Sequence, residues 1–165
     1  MASTYTPIAT YTLGSATSSY TFSSIPATYT DLIIVMSGTV SLDGRDPSIR
    51  FNSDTGSNYS YTNLSGNGSS ALSSRVSNNS YIQLTTNASW HTTTISNTIV
   101  QVQNYSNSTT YKTTLNRSND ATYGTDATVG LWRSTSAINS VTLFIPSGHN
   151  FSTGCTFTLY GIKAA

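Results

Sequence analysis

The stretch Ile138-Asn139-Ser140-Val141-Thr142-Leu143-Phe144-Ile145 shows most clearly which fold the chain adopts. Val141, Leu143 and Ile145 stand at every second position, the period of a strand with one buried face. The run 156–162 alternates in the same way. No segment longer than about two turns has the period of an amphipathic helix. The pattern therefore predicts strands rather than helices.

Further strand-like runs, separated by turn residues, occupy most of the chain. They are predicted at 8–13, 19–22, 31–42, 48–52, 59–62, 81–84, 93–105, 111–116, 127–133, 138–145 and 156–162. Residues 65–70 are Gly- and Ser-rich, which predicts a flexible loop. Residues 74–77 form either a short strand or part of that loop. Residues 106–110 should join two strands as a hairpin. About ten strands without intervening helices must pair antiparallel, which predicts an all-β sandwich, with the jelly roll as the expected arrangement.

The composition supports an ordered β domain. The chain has 165 residues, carries a net charge of +1 and is 36% hydrophobic. Only 8% of its residues are charged, against about 25% in an average protein. Val, Ile, Tyr and Thr favour strands, and neither high net charge nor apolar depletion points to disorder. We expect a short N-terminal arm, 1–7, followed by one β-sandwich domain, 8–165.

The near-neutral charge indicates which classes of partner the protein can bind. It offers no basic field for nucleic acid and no Lys/Arg-rich face for a membrane. A surface of hydroxyls, amides and tyrosines instead suits protein or carbohydrate. The first ten residues lack the pattern of a signal peptide, and the apolar run 32–36 is too short to span a bilayer. These features predict a protein made in the cytoplasm, in which the single Cys155 is a buried strand residue.

The sequence offers little sign of a catalytic or metal-binding site. His91 and His149 lie beside no Gly-x-Ser-x-Gly turn, and two His with one distant Cys do not make a zinc motif. We therefore predict that the chain is not an enzyme and has no cofactor. Asp43 and Asp46 share one loop and suggest a weak calcium loop, although turn-forming aspartates are the favoured explanation.

Aromatic residues are the remaining candidates for a binding surface. Three roles are open: stacking on sugars, contact between subunits, and half-buried packing within strands. The residues considered for interface or glycan contact are Tyr59, Tyr61, Trp90, Tyr105 and Tyr111.

Several stretches together carry a family resemblance. They are Leu13-Gly14-Ser15-Ala16, Tyr20-Thr21-Phe22-Ser23-Ser24-Ile25-Pro26, Tyr29-Thr30-Asp31-Leu32, the run 50–60 and the run 151–162. This combination resembles small virion structural proteins of tailed bacteriophages, particularly phages of aquatic bacteria and cyanobacteria. The resemblance extends over nearly the whole chain and is strongest at the two ends and around 50–60.

The resemblance implies a component of the phage particle. With the small size and single domain, it leads us to expect a capsid decoration or cement protein on the outer surface of the head. Its partner would be the major capsid protein, its oligomer a homotrimer, and its role to stabilise the shell. The alternative is a tail fibre, spike or knob module that recognises host surface glycans. A hydrolase of cell-wall sugar would need an acid–base pair that the sequence does not offer.

Overall fold

The computed structural model describes residues 4–163, and these residues form twelve β-strands. The strands are β1 (Tyr5–Thr12), β2 (Ser19–Phe22), β3 (Asp31–Gly38), β4 (Ser48–Phe51), β5 (Tyr59–Gly66), β6 (Ala71–Asn79), β7 (Ile82–Gln83), β8 (Ser96–Gln103), β9 (Lys112–Asp120), β10 (Gly124–Trp132), β11 (Val141–Phe144) and β12 (Thr156–Ile162). Between Thr4 and Lys163 there is no helix long and apolar enough to cross a membrane.

The strands form two antiparallel sheets that enclose one hydrophobic core. The large sheet has eight strands in the order β1-β12-β3-β8-β9-β10-β5-β6, and the small sheet has four in the order β2-β11-β4-β7. Strands β8, β9 and β10 follow one another as hairpins, whereas most other neighbours are distant in sequence. The predicted all-β antiparallel sandwich is confirmed, and so is the hairpin over 106–110. The jelly-roll connectivity stays a prediction.

One half of the interior is apolar. Leu32, Ile34 and Phe157 point inward from the large sheet and are completely buried with Ile49 and Leu143 of the small sheet. Burying a side chain of this kind contributes about 1.5–3 kcal/mol. The alternation seen in the sequence thus marks the face that holds the two sheets together.

Beside β5, β9 and β10 the interior also contains many buried polar side chains. Six buried polar residues of β5, β9 and β10 form what is called the polar inner layer below, namely Asn63, Thr114, Asn116, Ser118, Asp126 and Thr128. The segment 84–90 covers the layer: Asn116 and Ser118 donate hydrogen bonds to the Leu84 carbonyl at 2.9 and 3.2 Å. Asn63 donates to the Thr128 hydroxyl at 2.9 Å. Hydrogen bonds therefore replace hydrocarbon contacts across this part of the sandwich.

Strand β6 corrects the prediction for 65–77. Residues 65 and 66 still belong to β5, and the whole of Ala71–Asn79 is strand rather than a loop or a short piece. Every residue from 71 to 78 is exposed. Because no face of β6 is buried within the chain, its sequence carries no alternation that could identify it.

The N-terminal arm is also corrected. Tyr5 and Pro7 lie in β1 and pair with Ile162 and Tyr160 of β12, so these residues are part of the large sheet. The pairing satisfies backbone groups along the first strand, which a free arm would leave to water. Residues 1–3 of the predicted arm lie outside the described residues.

Candidate binding site on the outer face of the large sheet

The outer face of the large sheet, the side away from the core, carries an unusual amount of hydrocarbon. Cross-strand pairing aligns one row of outward side chains across β12, β3, β8, β9 and β10. The row consists of Tyr160, Ile33, Gln101, Leu115 and Val129. Leu115 is 50% exposed and Val129 54% exposed.

A second row lies beside the first. It crosses β3, β8, β9, β10 and β5 through Val35, Ile99, Arg117, Ala127 and Leu64. Leu64 is 59% exposed. Two adjacent rows in which hydrocarbon predominates form a contiguous apolar surface, and such surfaces commonly mark interaction sites.

Most residues of the two rows, together with Tyr5, line a depression of about 550 Å³, called the outer-face groove below. Leu64 and Val129 extend the rows beyond it on the same face of the sheet. At one end the rings of Tyr5 and Tyr160 meet edge to face, with centroids 6.3 Å apart. The middle of the groove has an aliphatic floor from Ile33, Val35 and Ile99. The groove thus combines an aromatic end with a flat apolar bed.

Two polar groups interrupt this hydrocarbon. Gln101 donates a long hydrogen bond of 3.4 Å to Asp31, which fixes its amide at the edge of the groove. Arg117 is the charged residue of the two rows, and no hydrogen bond or ion pair joins its side chain to another described residue. A guanidinium among apolar side chains is typical of the centre of a protein interface, where Arg and aromatic residues dominate binding.

The predicted aromatic surface is not formed by Tyr59 and Tyr61, which are buried and point into the sandwich. The Tyr59 hydroxyl accepts a hydrogen bond from the Phe51 N–H at 3.1 Å, and its ring stacks on Trp132 with centroids 6.2 Å apart. The Tyr61 hydroxyl donates to Gln83 at 3.1 Å, and burial raises its pKa to about 12. The prediction that these two rings face a glycan is therefore wrong.

Trp90 and Tyr105 are buried as well. The Trp90 indole donates to Thr98 at 3.3 Å, and the Tyr105 hydroxyl donates to the Pro26 carbonyl. Burial raises the pKa of Tyr105. The polar atom of each ring thus has a partner inside the protein. Of the five predicted aromatics only Tyr111 is exposed, at 55%, so the structure does not bring them together as a surface.

The predicted calcium loop is not assembled either. The Asp46 carboxylate accepts hydrogen bonds from Thr85 and Ser89 at 2.7 Å and from Gln83 at 3.0 Å, and burial raises its pKa. Three donors already engage this carboxylate, whereas a calcium ion needs about six to eight oxygen ligands.

Asp43 lies at the surface and accepts a hydrogen bond of 2.6 Å from the Thr92 N–H, which lowers its pKa. Among the described residues, no three His, Cys, Asp or Glu side chains are grouped to hold a metal ion. Asp43 and Asp46 therefore act as separate loop anchors.

Sequence reasoning missed the outer-face groove, although one signal was present. The run 32–36 is apolar at every position, so Ile33 and Val35 lie on the face opposite Leu32, Ile34 and Met36. An uninterrupted apolar strand is typical of a sheet covered on both faces. In this chain only one face is covered by the small sheet.

Comparison with known proteins adds a similarity of fold. A double variant of the alginate lyase Aly36B, in complex with an alginate tetrasaccharide, aligns with a TM-score of 0.43 at 9% identity, covering 94% of this chain and 79% of the lyase. The marine PL-14 alginate lyase from Aplysia kurodai aligns with a TM-score of 0.41 at 9% identity, covering 94% and 81%. No protein-family model matches the chain, and no curated protein matches it.

These neighbours overturn one prediction. We predicted that the chain is not an enzyme because the sequence has no recognised catalytic set, yet the similar solved structures are named as lyases. That prediction is corrected. At 9% identity and TM-scores below 0.5, the similarity transfers no activity, substrate or residue role to this chain.

Proposed function

We propose that this protein is a virion structural protein of a tailed phage that attaches to the outer surface of the head through its outer-face groove. The major capsid protein is its proposed partner, and stabilisation of the shell is its proposed role. The observation that carries this proposal is the apolar outer face, where Leu64, Leu115 and Val129 are each at least half exposed.

The chemistry of the groove suits a protein partner better than other partners. Covering its aliphatic rows would remove exposed hydrocarbon from water, which favours association. Arg117 would supply a directed contact to a carboxylate or carbonyl of the partner. Because the chain resembles small virion proteins, we expect this partner to be part of the phage particle.

Cryo-electron microscopy of the intact particle tests the location. We expect density for the sandwich repeated over the head lattice, with the outer face of the large sheet turned toward the shell. Density confined to the tail or to fibre tips would contradict attachment to the head. Density on the head with the small sheet turned toward the shell would contradict the groove as the attachment surface.

A rebinding experiment tests the groove itself. Purified wild-type chain and the variant Leu115→Asp are added to particles depleted of this protein, and the bound fraction is measured after sedimentation. The charge in the middle of the groove should lower occupancy at least tenfold, which corresponds to about 1.4 kcal/mol. Leu42→Asp is the matched control, since Leu42 is similarly exposed, at 46%, but lies in the loop after β3. Equal loss in both variants would refute the proposal.

Recognition of host surface glycans is the second candidate, and one observation favours it. The Tyr5–Tyr160 pair lies at the end of the groove, and aromatic rings at a groove end suit stacking on a sugar ring. Binding of the wild type and Tyr160→Ala to an array of bacterial polysaccharides tests this candidate. The same polysaccharides, incubated with the wild type and followed for shorter products, test catalysis directly.

A further inference from the structure

Strand β6 is an edge strand with both faces exposed, although Arg133 donates a hydrogen bond to Asn78 near its end. It pairs only with β5, at the end of the large sheet. Side chains on both of its faces are in solvent from 71 to 78, including Leu72 at 48% and Val76 at 36% exposure. An edge strand of this length presents a row of backbone N–H and C=O groups that can pair with another strand.

The opposite edge of the same sheet is protected and β6 is not. Strand β1 contains Pro7, which has no N–H to donate, and its pairing shifts at a bulge between Pro7 and Ala9. Both features discourage pairing with another chain. In β6 the ladder with β5 is regular from Ala71 to Val76 and contains no proline, and its one register shift lies beyond Val76, toward Asn79. One edge of the sheet is therefore closed and the other open.

We propose that two copies of this chain, rather than the three expected from the family resemblance, pair through β6, antiparallel and about a two-fold axis, so that their large sheets join into one. The occupant of the edge is a second copy because the sequence of β6 is complementary to itself in one register. This inference stands on the edge strand alone and does not depend on the partner of the outer-face groove.

The register follows from which side chains share a face. Leu72 and Val76 pair with inward-facing Ser65 and Tyr61, whereas Arg75 pairs with outward-facing Thr62. In an antiparallel pair, directly opposed residues lie on the same face. If the two-fold axis passes through a residue position, each side chain lies opposite one from the same face of the other strand. If the axis passes between two residues, side chains from opposite faces would have to pair.

Among the axes that pass through a residue, the one at Ser74 is favoured. It places Leu72 of each chain opposite Val76 of the other, and Arg75 opposite Ser73. An axis at Ser73 would instead set Leu72 against Ser74, and an axis at Arg75 would bring two guanidinium groups together. An axis at Leu72 or at Val76 would give one apolar pair, whereas the axis at Ser74 gives two. Apolar cross-strand pairs stabilise a ladder, and directly opposed like charges destabilise it.

The mass in solution gives the first test. Sedimentation equilibrium of the full chain over a concentration series should show a species of twice the 17.6 kDa chain mass. Val76→Lys should lower the association constant at least tenfold, because each dimer would hold two lysines against Leu72. Ile95→Lys is the matched control, since Ile95 is 62% exposed and lies outside β6. A monomer at every concentration, or a trimer unaffected by Val76→Lys, would overturn the proposal.

Cysteine cross-linking gives the second test and reports the register. Ser74→Cys places two thiols directly opposite across the axis, about 5 Å apart between Cβ atoms, so oxidation should give a covalent dimer. Ser73→Cys offsets its two thiols along the strands, beyond the reach of a disulfide. The native Cys155 is buried and is present in both variants. Cross-linking through position 73 rather than 74 would refute this register.

Discussion

The carboxylate of Asp126 on β10 accepts a hydrogen bond from the backbone N–H of Thr86 at 2.7 Å. The same oxygen also accepts from the N–H groups of Asn87 at 3.1 Å and Ala88 at 3.0 Å. Asp126 is buried, so one charged group holds three consecutive residues of the segment that covers the polar inner layer.

Asp126→Asn should therefore be strongly destabilising. The variant keeps the shape but loses the charge that three N–H groups share, and a hydrogen bond to a charged group contributes about 1.5–3 kcal/mol. We expect the free energy of unfolding to fall by about 2–3 kcal/mol, measured by urea denaturation. Asp43→Asn is the control, because that exposed carboxylate holds a single N–H, and it should change stability little. Similar losses in both variants would contradict the anchoring role.

The ionisation of Asp54 should make the stability of the fold depend on pH in the acid range. Burial alone would raise its pKa, but hydrogen bonds from Trp132 at 2.7 Å and from Asn58 and Gly56 outweigh burial and lower it. A carboxyl group with a lowered folded pKa adds stability above its unfolded pKa, near 4, and loses it as pH falls through the folded value. Asp54→Asn should thus be less stable than wild type at pH 7, and the difference should shrink progressively as the pH falls below about 4. Denaturation at a series of pH values measures this difference, and a difference independent of pH would argue against it.

Gly161 should tolerate no side chain. A Cβ at this position of β12 would collide with the ring of Tyr29, which packs against the strand. Gly161→Ala forces the ring to move, and overpacking of this kind costs about 1–3 kcal/mol. Gly66→Ala is the matched control, since no atom lies within 4 Å of a Cβ there. Thermal unfolding of the two variants should separate them clearly, and equal melting temperatures would count against the packing described for Tyr29.

Tyr59→Phe tests the inward position of that ring. Removing the hydroxyl leaves the Phe51 N–H without the bond it makes to Tyr59, and an unsatisfied buried donor costs about 1–3 kcal/mol. Tyr111→Phe, at an exposed ring, should be neutral. The free energy of unfolding of both variants provides the measurement. A neutral Tyr59→Phe would mean that the Tyr59 hydroxyl is not holding β4.

The positions of the strands could be predicted from the sequence better than which face of each strand is buried. The runs 19–22 and 156–162 coincide with β2 and β12, because their alternation matches the buried pattern. On β9 the usual rule is inverted. Its buried side holds Lys112, Thr114 and Asn116, whereas Leu115 is exposed. Periodicity gives the two faces of a strand but does not say which of them is covered.

The same inversion explains why the candidate site was misplaced. Tyr59 and Tyr61 stand at alternate positions of β5, and their amphipathic rings suit a wet surface as well as a polar interior. The outer-face groove gathers residues from six strands, and β1, β3 and β12 are far in sequence from the β8–β10 hairpins that they join. Only the strand order brings these residues together, and a single sequence without helical crossovers does not specify that order.

The polar inner layer has a thermodynamic consequence. Exposing apolar surface raises the heat capacity on unfolding, whereas exposing polar surface lowers it. A sandwich that buries Asn63, Asn116 and Thr128 in place of hydrocarbon should therefore show a heat-capacity increment below the usual value of about 12–15 cal/mol/K per residue. Scanning calorimetry would measure it. A small increment flattens the curve of stability against temperature, so this fold should keep a nearly constant margin of stability from cold water to warm.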